Sequence, residues 1–405
     1  MLPKWQKLCW GELVKLEYGK GLRDYEKATG KYRVFGTNGP IGWHDEYICP
    51  NPSVIIGRKG AYRGIHYSKE PFYVIDTAFF LKPIHEIDIK WAYYNLLTQN
   101  INEMDSGSAI PSTSRDEFYR LPVIVPPLEE QQKIANILSS FDDKIELNRK
   151  MNATLEQIAQ TIFKSWFVDF DPVKAKATGR EPEGMDAETA ALFPSEFEQS
   201  ELGMIPKGWE KSQLGEICYN YRETVSPEKL DPKTLYIGLE HIPRKSIALD
   251  EWSTGSLVES GKSKFVTGDI LFGKLRPYFH KVGVAPIDGI CSTDILVIRP
   301  KRVSYFGIAL SYLASEEIIN YADRFSNGAK MPRINWKDLA VYEISIPPEE
   351  IAKIFSENIS CIVEKIKINI LESKLLRSIR DVILPRLISG QLRIPDVENT
   401  LGDLL

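Results

Sequence analysis

Gly107, Pro111, Ser114 and the pair Pro126-Pro127 return 221 positions later as Gly328, Pro332, Asn335 and Pro347-Pro348. An offset that stays constant over such a span means that one structural plan is used twice, which limits the fold more than any single motif does. The openings of the two copies agree as well. Leu2-Pro3-Lys4-Trp5, followed by Gly11-Glu12-Leu13, returns as Ile205-Pro206-Lys207-Gly208-Trp209, followed by Gly215-Glu216-Ile217. Ser114-Arg115-Asp116-Glu117 and Asn335-Trp336-Lys337-Asp338 each set a capping side chain three residues ahead of a carboxylate, as a short helix start requires. Each copy then runs through an apolar strand, 121–125 or 341–346, into its Pro-Pro pair. Proline stops a strand ladder and suits the first turn of a helix, so a helix is expected to open at both pairs.

After the first pair, apolar residues fall at Ile134, Leu138, Phe141, Ile145, Met151, Leu155, Ile158, Ile162 and Trp166, with Asn148 and Asn152 as polar breaks. After the second they fall at Ile351, Phe355, Ile359, Ile362, Ile366, Leu371, Leu375, Ile379 and Ile383. Spacings of three and four make both stripes coiled-coil-like. No glycine or proline interrupts either before Pro172 and Pro385, so each helix can run for ~36 to 40 residues, longer than ordinary bundle helices.

The regions before the helices are rich in aromatic and β-branched residues punctuated by glycine and proline. Short runs such as 53–56, 73–75, 268–272 and 295–298 read as strands, with helices at 91–98 and 305–319. The resulting fold class is α+β. It comprises a mixed globule at 1–126, a helix at 127–170, an acidic linker at 171–204, a second globule at 205–347, a second helix at 348–394 and a tail at 395–405. A chain of 405 residues suits such a multidomain plan. No apolar run approaches the ~18 residues of a membrane helix, and the first residues lead into mixed sequence rather than a signal peptide, which points to the cytoplasm.

Catalytic patterns are poor. Gly255 to Ser263 ends in Gly261-Lys262-Ser263 but has five residues between its glycines where a phosphate loop needs four. Asn51-Pro52-Ser53 shares only two letters with the Asn-Pro-Pro-aromatic site of amino-methylating enzymes. His44, His66, His85, His241 and His280 lack metal spacing, and Cys9, Cys49, Cys218, Cys291 and Cys361 form no C-x-x-C pair.

Nucleic-acid contact is the better use of what is present. The net charge of −4 is misleading: nine acidic and three basic residues between Asp169 and Glu201 put −6 on that stretch and leave about +2 for the rest. In the first globule the basic turn Gly57-Arg58-Lys59-Gly60-Ala61-Tyr62-Arg63-Gly64 follows Gly36-Thr37-Asn38-Gly39. In the second, Gly273-Lys274-Leu275-Arg276-Pro277-Tyr278 precedes His280-Lys281, and Lys330-Met331-Pro332-Arg333 comes later. Glycine lets a backbone approach phosphate, while Arg and Asn can bond base edges twice. The candidate contacts are Asn38, Arg58, Lys59, Tyr62 and Arg63 in one copy and Lys274, Arg276, Tyr278, Lys281, Lys330 and Arg333 in the other.

At this level the chain resembles the specificity subunits of type I restriction-modification systems. Pro126-Pro127-Leu128-Glu129-Glu130-Gln131-Gln132-Lys133-Ile134-Ala135, Ile162-Phe163-Lys164-Ser165-Trp166-Phe167-Val168-Asp169-Phe170 and Leu384-Pro385-Arg386-Leu387-Ile388-Ser389-Gly390-Gln391-Leu392 look like the common regions of that family. Gly36-Thr37-Asn38-Gly39-Pro40-Ile41-Gly42 and the stretch from Gly268-Asp269-Ile270-Leu271-Phe272 to Pro277 look like motifs of its target recognition domains. The resemblance implies two recognition domains at opposite ends of an antiparallel helix pair, reading a split, asymmetric site in double-stranded DNA. It implies a non-catalytic chain without its own cofactor. Methyltransferase subunits, two in number, would bind along the helices and motor-nuclease subunits would join later, with S-adenosylmethionine, ATP and Mg in those partners. One departure is that Pro348-Glu349-Glu350-Ile351 lacks the Leu-Glu-Glu-Gln-Gln wording of the first joint. A specificity subunit of a related system with fused nuclease and methyltransferase would share this architecture, and a coiled-coil protein-binding scaffold without DNA function is the alternative from another class.

Overall fold

The computed structural model describes residues 5–395 apart from 24, 26–28, 105–110, 258–259 and 329. Gly107 of the repeat, Leu2 to Lys4 and nearly all of the expected tail lie outside the described residues. The chain divides into two compact units, Met1–Lys144 with Leu375–Leu405, and Ile145–Lys374.

In the first unit a four-stranded antiparallel sheet runs in the order Val14–Tyr18, Ala78–Pro83, Ser53–Gly57, Ile65–Ser68. A smaller sheet of Gly39–His44, Tyr32–Gly36 and Phe72–Val74 ends in a parallel pair. The second unit repeats the order with Cys218–Tyr221, Ile295–Pro300, Ile270–Gly273 and Val282–Val284. Beside it stands a five-stranded sheet whose parallel pair is Leu235–Ile237 with Gly289–Cys291. The short runs read as strands in the sequence are therefore strands, within a residue or two.

The central strands are unbroken apolar runs because both of their faces are covered. Val54 and Ile56 face a core built around Trp10, Trp91 and Phe118, while Ile55 faces Phe35 and Phe72. Ile270 and Phe272 divide from Leu271 in the same way. The sequence offset has a direct counterpart in packing. A Cβ on Gly11 would lie 2.8 Å from the Tyr119 Cβ, and one on Gly215 would lie 3.0 Å from the Ala340 Cβ. Tyr119 and Ala340 are themselves repeat partners, so both glycines admit the same close helix approach.

Both long helices open at their proline pairs, Leu128–Phe163 and Glu349–Ile388. The first ends in a π turn at Lys164–Val168 and the left-handed Phe170, after which Pro172 begins a new helix. Pro385 lies inside the second helix and does not end it. This proline is accommodated near the helix end, where the missing donor would have faced the exposed Asp381 and water can replace it. The helix closes instead at Gly390, whose positive φ of 74° lets the Leu392 amide donate back to Arg386 (3.0 Å).

Four expectations change. The single helix at 305–319 is two, Phe306–Leu313 and Glu316–Arg324, separated where the Ser315 hydroxyl accepts from the Ile318 amide. Ser114 caps Arg115–Arg120 as expected, but Asn335 stands at its helix start without a capping bond. The acidic stretch read as a linker carries helices Asp171–Ala177 and Ala187–Leu192 and a hairpin of Phe197–Ser200 with Gly203–Pro206. Val173, Phe193 and Ile205 bury themselves in the main core of the second unit, so few but well-placed apolar residues order a segment whose composition is polar.

The fourth change concerns the stripes. The buried register of the first helix passes from Phe141 through Asn148, Asn152, Glu156, Ala159 and Phe163, keeping the three-and-four spacing while the letters turn polar. Ile158, assigned to the stripe, is exposed, and Leu371 and Leu375 are exposed on the second helix. Within the second unit the helices run antiparallel. Asn148 Nδ2 donates to Glu372 (2.7 Å) and Ser373 (3.2 Å), and Asn369 Nδ2 donates to Asn152 (2.8 Å). A polar pair of this kind in a helix seam fixes register at some cost in stability.

Candidate nucleic-acid interface

In the first unit three loops are tied into one frame. The Gly57 amide donates to the Gly64 carbonyl (2.8 Å), the Gly64 amide to Thr37 (3.0 Å), and the Thr37 hydroxyl to Lys59 (2.6 Å). The Gly60 amide donates to Pro111 (2.9 Å) and the Thr113 amide to Arg58 (2.8 Å). A Cβ on Gly57 would stand 2.3 Å from the Thr37 carbonyl oxygen, so this approach requires glycine.

The second unit builds the same frame from different letters. The Gly273 amide donates to Lys281 (2.8 Å), the Arg276 amide to Pro332 (2.8 Å) and the Ile334 amide to Lys274 (3.1 Å). Lys59 bridges Ser112 where Leu275 bridges Arg333. Matched by these bonds, Arg58, Lys59 and Gly60 correspond to Lys274, Leu275 and Arg276, and Pro111, Ser112 and Thr113 correspond to Pro332, Arg333 and Ile334. Each frame also carries an exposed tyrosine two residues after its turn, Tyr62 and Tyr278.

The candidate contacts fall into two groups. Asn38, Tyr62, Tyr278 and Lys330 are exposed on these loops. Arg58, Lys59, Lys274 and Arg276 are half-buried at their base. The Arg58 guanidinium lies over the Tyr18 ring (4.9 Å) and donates to the Asp76 carbonyl (3.0 Å), and Lys59 stands 3.6 Å from the Asp76 carboxylate.

Three other candidates are engaged by partners within the protein. Arg63 is only 3% exposed and donates to the carbonyl of Asn102 (2.8 Å), so it anchors the loop and is not presented to a ligand. Lys281 bonds the Leu239 carbonyl, and burial, with the nearby Arg244, holds its amine below the ordinary lysine range. Arg333 is forked onto Asp294 (2.8 and 3.2 Å), whose carbonyl accepts from the Lys274 amide (2.9 Å), so Asp294 ties the two loops together. His280, buried like Arg63, donates from Nε2 to the Ala314 carbonyl (2.8 Å), and burial holds its imidazole below the ordinary value.

Two cations that the sequence reading passed over join these clusters. Arg115 lies over the same Tyr18 ring as Arg58, at 5.0 Å. The guanidinium of the exposed Arg244 stacks on Phe279 (4.1 Å), beside Tyr278. Arg115 was read only as part of a helix start, and Arg244 stands in no glycine-bounded turn, so neither carried a distinguishing local signal. Among the described residues no group of three or more His, Cys, Asp or Glu could hold a metal ion, and no helix is long and apolar enough to cross a membrane.

A family model described as the type I restriction modification DNA specificity domain matches residues 3–157 and again 206–373. The type I restriction enzyme HindI specificity subunit of Haemophilus influenzae is 29% identical across 79% of this chain and 81% of its own length. The MjaIX specificity subunit of Methanocaldococcus jannaschii is 26% identical across 96% of this chain and 89% of its own. The crystal structure of a type-I restriction-modification system S subunit from M. genitalium covers 96% of this chain and 99% of that one at a TM-score of 0.59 and 18% identity, a likeness of fold.

Proposed function

The chain belongs to the type I restriction-modification DNA specificity family, and we propose that its two copies read two separate half-sites of one asymmetric DNA sequence. It is the specificity subunit that determines the recognition site of a type I restriction-modification complex, and it is non-catalytic. The observation that carries the finer reading is the loop frame built twice with different side chains, Arg58-Lys59-Gly60 in one copy and Lys274-Leu275-Arg276 in the other. Corresponding frames support a common mode of approach to duplex DNA, and unlike side chains support unlike half-sites.

The partners in this reading are two methyltransferase subunits and, after them, motor-nuclease subunits, which supply S-adenosylmethionine, ATP and magnesium chemistry. Apolar side chains left exposed on the long helices, among them Leu147, Ile158, Ile368, Leu375 and Val382, support a protein-binding role for those helices.

Arg58 and Lys274 occupy matching positions and are assigned to phosphate. Replacing both with alanine in the full chain is expected to weaken binding to random-sequence duplex DNA and to lower the salt slope by about one unit per lost contact. Unchanged affinity and slope across a salt series would remove this frame from the DNA surface.

A further inference from the structure

Arg276 stands where the matching position of the first copy has glycine. Gly60 has φ +117° and Arg276 has φ 51°, and both donate their amide to the proline of the partner loop, Pro111 or Pro332. A left-handed backbone suits glycine and is strained for a long L side chain. The side chain adds a second anomaly. Arg276 Nη2 donates to the Lys330 carbonyl (3.3 Å), while Nε is buried without a hydrogen-bond partner. A left-handed backbone at a residue other than glycine persists mainly where a function requires that residue. Arg333 is held by Asp294 and Lys281 by the Leu239 carbonyl, and the residue matching Lys59 is the uncharged Leu275.

We propose that Arg276 is a specificity-determining residue that reads a guanine edge in the half-site of the second copy, and that Gly60 leaves the first copy without this contact. The inference rests on the proposed reading of two half-sites. Arginine binds guanine O6 and N7 with two parallel donors, the most common specific contact to a base in the major groove.

The test compares the full chain, assembled with its methyltransferase partner, with variants Arg276→Gly and Arg276→Asn. Each selects duplexes from a randomised library, and melting is measured in parallel. The unsubstituted complex is expected to prefer a G·C pair at a position where both variants lose roughly tenfold to a hundredfold discrimination, with every other position retained. Arg276→Gly is expected to melt no lower than the parent because glycine takes a positive φ without strain, and Arg276→Asn, which tolerates the left-handed region, decides if the glycine variant is too mobile. Unchanged preference in both variants overturns the inference while leaving the two half-sites standing, and so does a fall in melting with preference lost throughout. If the unsubstituted complex selects no split motif, the proposed function fails first.

Discussion

Ile366→Asp is expected to destabilise the second unit by about 5 kcal/mol, lowering its melting temperature by roughly 10 to 20 °C. Ile366 is 3% exposed and lines a cavity with Ile247, Val284 and Ile370, so aspartate would place a charge in a buried apolar lining. Leu375→Asp is the matched control. The sequence stripe assigned both residues to one seam, yet Leu375 is 61% exposed and its replacement is expected to shift stability by less than about 0.5 kcal/mol. Equal melting of the two variants in a thermal scan would show that the buried register is wrong.

Asp269→Ala is expected to cost about 3 to 5 kcal/mol. The Asp269 carboxylate receives both arms of Arg299, at 2.6 and 2.8 Å, and the Val266 amide at 2.8 Å, while Arg299 lies 3.6 Å over the Tyr221 ring. Truncating one partner leaves the other charge in a largely desolvated position. A double change of Asp269→Leu with Arg299→Met removes both charges together and is expected to recover much of that loss. Denaturant midpoints of the single and double variants measure the difference, and a single variant as stable as the parent would contradict it.

The pairing of Asp269 also shows what kind of information the sequence motifs held. Gly268-Asp269-Ile270-Leu271-Phe272 was legible as a recognition-domain motif, but its carboxylate is buried and builds the domain through Arg299. The joint at Pro126-Pro127 behaves likewise. Glu130 accepts from the Trp5 indole (2.9 Å), and Gln131 is buried, accepting from the Asp88 amide (2.9 Å) and donating to the Pro126 carbonyl (2.9 Å). The second joint lacks that wording because it is fastened differently, by Arg302 on Glu349 (3.0 Å) and by the buried Ile351.

Repeat, strand runs and helix starts were readable because each rests on local periodicity or on proline and glycine chemistry. Where apolar periodicity was followed past Ile145 it departed from the true register, since buried Asn148, Asn152 and Glu156 continue the seam in polar letters and find partners only in three dimensions. The loops were readable as basic and glycine-rich. Which of their cations already have protein partners was not, because Arg63, Lys281 and Arg333 are held by residues remote in the sequence, Asn102, Leu239 and Asp294. Arginine and lysine advertise charge in a sequence, but their long side chains let tertiary partners decide where that charge ends up.

Under the proposed function, two copies of one loop frame read two halves of one DNA site. Mapping methylated positions in genomic DNA from cells that express this chain with its methyltransferase partner tests it most directly. The expected result is a single asymmetric motif of two read blocks separated by unread bases, present only when this chain is present. A motif with one continuous block, or a methylation pattern that persists unchanged without the chain, would contradict it.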